Sequence, residues 1–134
     1  MHRAIGAVSH GIIDYFMVII LIIGPRVAHF DGRQATFCYV LAAVHLILTL
    51  VTRFPLGVLK IVGLPIHGAI ELIVGVLLIV LPFIANFSAG VNSRNFFICI
   101  GVLILVIWWL TDYRGIRGLK KSVISDQRSG PPSP

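Results

Sequence analysis

Five histidine and acidic residues fall within the long apolar runs of the sequence: His10, Asp14, His45, His67 and Glu71. Four of them repeat one pattern, His-x-x-x-acid, as His10 with Asp14 and His67 with Glu71. Helical positions four apart share a face one turn apart, so an imidazole N–H can donate to the carboxylate beside it. Imidazoles and carboxylates on facing helices are the donor set with which helical bundles hold metal ions, and it suits zinc or iron. His10, Asp14, His67 and Glu71 are the candidate ligands on that account. Asp14, His45 and Glu71 could instead relay protons or ions, the usual task of acids and histidines inside membrane spans. Two histidines, His45 with His10 or His67, could also hold a haem iron. The plainest account is packing. An acid in the first turns complements the positive helix N-terminus, and a local His–acid bond or a bridge to Arg53 or Arg114 would lower its cost. Gly11 and Gly68, beside the histidines, would let helices approach closely. Packing at helix ends is the expectation carried forward.

The elements that must position these groups are membrane spans. Of the 134 residues, 57% are hydrophobic and only 12% charged, with a mean hydropathy of +0.99. Soluble domains run nearer half apolar and a quarter charged, and a globule this small cannot bury the excess. Four runs are long enough to span: about Ile5 to Gly24, Ala35 to Val51, Pro65 to Ala85 and Asn95 to Leu110. A span needs about 20 apolar residues, with about 17 as the lower limit, so the fourth must borrow from its flanks. The runs are continuously apolar, which indicates helices and not barrel strands. The first run is too long for a signal peptide, and no A-x-A site follows it. Eight basic residues fall on one side (Arg3, Arg53, Lys60, Arg114, Arg117, Lys120, Lys121 and Arg128), and Arg26, Arg33 and Arg94 on the other. The positive-inside rule then places both termini in the cytoplasm of a cell carrying this chain in its plasma or inner membrane. The net charge of +6 reads as topology and contact with anionic headgroups, not as nucleic-acid binding. Homo-oligomerisation is compatible with the pattern.

The chain also matches itself. Placed 57 residues apart, HGIIDYFMVIILIIGPRVAHF (10–30) and HGAIELIVGVLLIVLPFIANF (67–87) are identical at eight of 21 positions. A coincident His-Gly, an acid four residues on and a proline eleven further exceed what shared apolar composition explains. At an offset of 59, LTLVTRF (48–54) meets VIWWLTDY (106–113) more weakly. The expected fold is an all-α, integral membrane four-helix bundle of two tandem parallel two-helix repeats, about 5–54 and 65–113, within a bundle at 1–113. Pro25 and Pro82 are expected to stop the first helix of each repeat. A His-Gly-x-x-Asp start, a leucine-rich span and a proline triplet at its outer end, written twice, resembles the SPW repeat family of small bacterial membrane proteins. The Ser-Pro-Trp slot reads Gly24-Pro25-Arg26 and Leu81-Pro82-Phe83 here. That resemblance implies architecture and location and supplies no activity.

Other features are quieter. Cys38 and Cys99 fall at similar depth; a disulfide is conceivable, but each reads as a small buried hydrophobe. RFPLGVLKIVGLP (53–65) is too short and interrupted to span, and reads as chain lying in the membrane interface. Trp108, Trp109 and Tyr113 resemble an aromatic anchor. Residues 114–134 comprise a basic juxtamembrane stretch and a polar, proline-rich tail expected to be disordered. No P-loop, dinucleotide fingerprint, Ser-His-Asp set or HExxH occurs. No nucleophile is nominated and no cofactor is specified. The function expected is that of a non-enzymatic structural or accessory membrane component. The alternatives are proton, ion or small-solute transport, or metal or haem binding.

Overall fold

The computed structural model describes residues 4–113 together with 124, 125, 127 and 128. Its architecture is all-α: α1 Ala7–Val27, α2 Gly32–Val51, α3 Leu64–Ile84 and α4 Val91–Leu110. All four are long and apolar enough to cross a membrane. The fourth reaches full length by taking in Val91, Asn92, Ser93 and Arg94, ahead of the apolar run that suggested it. The basic segment and tail lie outside the described residues, apart from Ile124, Ser125, Gln127 and Arg128, which are helical and exposed.

α1 packs on α2 and α3 on α4, and the two hairpins meet partly through α1 and α4. Each helix buries one face and leaves large apolar side chains outside, among them Phe16, Ile47, Ile73 and Phe83. The apolar core lies around Met17, Leu21, Cys38, Leu78 and Phe97. Rings close its far end, with Phe30 against Phe96 and Phe87 against Phe97 at centroid distances of 5.3 Å. Where lipid surrounds a bundle, packing and not water expulsion holds helices together, and small residues allow close approach. Gly75 and Gly101 provide it in the second hairpin, where a Cβ on Gly101 would come within 2.7 Å of the Gly75 carbonyl oxygen.

The prolines do not stop their helices. Pro25 and Pro82 lie inside α1 and α3, and each helix runs two residues further. Proline has a helical φ, and its cost is one lost backbone hydrogen bond. The stop comes later, at His29 (φ 56°) and Asn86 (φ 54°), both left-handed. Phe30 N–H then donates to the Pro25 carbonyl (2.9 Å) and His29 N–H to that of Arg26 (3.3 Å). Phe87 donates to Pro82 (2.9 Å) and Asn86 to Phe83 (3.4 Å) in the same way. This double bond pattern is the Schellman motif, which satisfies carbonyls left over at a helix end. The alanine and phenylalanine matched at 28/85 and 30/87 belong to it.

The opposite ends are joined crosswise. Ile5, just before α1, receives the Asp112 N–H (2.9 Å) and donates to the Leu110 carbonyl (3.0 Å) at the end of α4. Val62, just before α3, receives the Arg53 N–H (2.7 Å) and donates to the Val51 carbonyl (2.9 Å) at the end of α2. Each lead-in thus closes the helix that ends the other hairpin. The connector 53–63 folds back over α2, with Val58 and Leu59 N–H groups on the Leu50 carbonyl. Leu56, Val58, Leu59 and Ile61 stay exposed while Phe54 is buried. Arg53 Nε binds the Lys60 carbonyl (2.7 Å), not an acid.

Candidate functional site

α1 and α3 each bring a histidine as their fourth residue and an acid as their eighth. No acid stands in the first turn of either helix, so the helix-dipole account fails, because that effect fades within one turn. The acids sit in the third turn and point inward. His10 and His67 are fully buried, Asp14 and Glu71 nearly so. Gly11 and Gly68 do not bring helices together: a Cβ at Gly11 would strike the Phe54 ring, and one at Gly68 would lie 2.8 Å from the Tyr113 ring. These glycines seat two rings beneath the site.

The four groups form a ring. His10 Nε2 lies 3.4 Å from Asp14 Oδ1 and 3.3 Å from Glu71 Oε2. His67 Nε2 lies 3.4 Å from Asp14 Oδ2 and 3.5 Å from Glu71 Oε1. Each carboxylate therefore turns one oxygen to each imidazole, and the pairs read as local along the sequence are shared between hairpins. The two imidazoles meet edge to face at 5.4 Å.

Two threonines fix the imidazole tautomers. His67 Nδ1 is 2.8 Å from Thr52 Oγ1, and His10 Nδ1 is 3.0 Å from Thr111 Oγ1. Thr52 donates its hydroxyl proton to the Leu48 carbonyl (2.6 Å) and Thr111 to that of Ile107 (2.7 Å). A hydroxyl has one proton to give, so each threonine receives the Nδ1–H of its histidine. In a neutral ring Nε2 is then the lone-pair nitrogen, and in both imidazoles it faces the carboxylates. Both Nε2 atoms, Asp14 Oδ2 and His45 Nε2 have no hydrogen-bond partner among the described residues.

Besides Asp14 against Glu71, the hairpins differ at two places around the ring. His45 on α2 brings its Nε2 to 3.8 Å from Asp14 Oδ1, whereas Ile104 stands at the matching position of α4. Tyr113 donates its phenol proton to Glu71 Oε2 (2.5 Å), whereas Phe54 matches it in the first hairpin. Burial first, then the negative charge of Glu71, pushes the Tyr113 phenol far above its ordinary range. It therefore remains a donor.

All five predicted residues gather here, His45 at the Asp14 edge. Gly24, Pro25, Arg26, Leu81, Pro82 and Phe83 lie at the other ends of α1 and α3. Thr52, Thr111 and Tyr113 were not among the sequence candidates, although the 59-residue match aligns Thr52 with Thr111 and Phe54 with Tyr113. Arg53 is engaged elsewhere, and Arg114 lies outside the described residues. The side chains of Asp14, His45 and Glu71 pack against one another with no room for water between them. A cavity of about 20 Å³ next to His45 is far short of the several hundred Å³, roughly, that a haem-sized ligand fills. Both cysteines are free; Cys38 is buried as expected, but Cys99 is exposed on the outer face of α4. Comparison with protein-family models, with curated proteins and with solved structures found no match for this chain.

Proposed function

We propose that the chain is a small multi-pass integral membrane protein, non-enzymatic and accessory in role, whose specialised part is the buried His–carboxylate centre. One observation carries this reading. An outer surface of large apolar side chains encloses five buried ionisable groups. Such groups are expensive in a membrane and mark its working sites. Two tandem copies of one helix pair, akin to the SPW repeat proteins, account for the matched helix ends and the matched crosswise joints. Both termini then lie in the cytoplasm of a plasma or inner membrane, with the basic flanks against anionic headgroups.

Alkaline carbonate extraction and reporter fusions test this. The chain should stay in the membrane pellet, and reporters on both termini should be active only as cytoplasmic fusions. Release into the supernatant, or termini on opposite sides, would overturn the reading.

A further inference from the structure

We propose that His10, Asp14, His67 and Glu71 form a binding site for one divalent first-row transition-metal ion, tying the two hairpins together. The inference rests on the reading of the cluster as the working part of the protein, and it names what the cluster takes.

Four observations lead there. First, each residue offers one ligand atom, and these atoms lie within 4.8 Å of one another. Second, the Nε2 atoms of two fully buried imidazoles have no hydrogen-bond partner among the described residues and lie 3.3 to 3.5 Å from carboxylate oxygens. A metal-bound histidine characteristically donates its other N–H to an oxygen acceptor, which holds the ring and fixes the tautomer. Thr52 and Thr111 supply that acceptor for His67 and His10.

Third, the spacing separates a metal site from the rival arrangement, in which two imidazolium rings donate to two carboxylates. Charge-assisted N–H···O bonds run at about 2.7–2.9 Å. The four Nε2–oxygen distances here are 3.3 to 3.5 Å. Metal–ligand bonds of about 2.0–2.2 Å put neighbouring ligands of a tetrahedral ion about 3.3–3.6 Å apart. These separations match those between co-ligands, although each carboxylate turns a different oxygen to each imidazole; one ligand atom per residue lies within 4.8 Å of the rest, so a tetrahedral ion would draw the four groups inward. Fourth, the charges balance: two carboxylates and two neutral imidazoles around a dication leave no net charge in a medium that penalises one.

The donors choose the class of ion. Imidazole favours zinc, iron, copper or nickel over calcium and magnesium, and calcium calls for about six to eight oxygens. The group contains no thiolate. His45, with its Nε2 3.8 Å from Asp14 Oδ1, is not one of the four.

The test uses the full-length chain purified in detergent, stripped with a chelator and then given Zn²⁺ or Co²⁺. Metal analysis after gel filtration should find about one ion per chain. The Co²⁺ form should show the intense visible bands of a four-coordinate site. The double variant Asp14→Asn, Glu71→Gln should lose the ion. The double variant Thr52→Val, Thr111→Val keeps all four ligands and should bind about 10–100-fold more weakly. If the carboxamide variant does not fold, the threonine variant and the Co²⁺ spectrum of the unaltered chain still decide the matter. A helical, monodisperse wild-type chain that takes up neither ion overturns the metal site, as does uptake undiminished in the threonine variant. A chain that binds no metal yet stays in the carbonate pellet overturns this inference alone; a chain released by carbonate overturns the membrane reading instead.

Discussion

At the scale of single residues, two near-copies of one pattern carry unequal partners. Asp14 has His45 beside it, and Glu71 has the Tyr113 hydroxyl. Tyr113→Phe should keep the ring over Gly68, because Phe54 already fills the matching place over Gly11. What it removes is the donor on a buried carboxylate oxygen, at a cost of about 1–3 kcal/mol. Thermal unfolding in detergent should show a lower midpoint, and an unchanged midpoint would mean that Glu71 needs no donor. His10, Asp14, His67 and Glu71 were legible from type and spacing. Their partners were not: i and i+4 on one helix suggested two separate pairs, and only the meeting of α1 with α3 makes one ring of four. Thr52 and Thr111 were hidden for another reason. A threonine at a helix end ordinarily caps or bonds back to its own turn, and these do so as well.

At the scale of the element, the helix ends were read least well. Proline suggested a stop, and the stop instead belongs to a left-handed residue four positions on. For an L-residue that conformation costs about 1–2 kcal/mol, a cost glycine escapes. His29→Gly and Asn86→Gly should therefore stabilise the protein by up to about 1 kcal/mol each. His29→Val should destabilise it. The check is the unfolding midpoint of each variant; a fall for both glycine variants would show that the His29 and Asn86 side chains matter more than their backbone. The length and apolar character of the four helices were plain from composition, since nothing else accommodates such runs. The start of α4 was not plain, because Asn92, Ser93 and Arg94 extend the helix on backbone hydrogen bonding and not on hydropathy.

At the scale of the whole molecule, the crosswise joints matter most. Ile5 closes the end of α4 and Val62 the end of α2, and His10 and His67 reach Thr111 and Thr52 across the same seam. The hairpins are bound by contacts that do not need the connector to be covalent. Co-expressed fragments 1–57 and 58–134 should therefore assemble, with a tag on one retaining the other through detergent purification. Fragments that fail to co-purify would mean that the connector, not the seam, holds the halves together. Ile5→Pro removes the N–H that meets Leu110 and should weaken the same assembly, read as less partner retained on the tag.

The sequence by itself determined the helices, their capacity to span a membrane, the doubled His–acid pattern and its burial. Periodicity and hydropathy are local properties, and a local property can be read along a chain. Only the tertiary structure decided that the acids stand in the third turn facing each other, and that the imidazole protons are taken by threonines from the opposite hairpin. It also decided that two Nε2 atoms stand 3.3 to 3.5 Å from two carboxylates. Those are relations between residues 15 to 101 positions apart, and they depend on how two hairpins pack, which side-chain types alone do not specify.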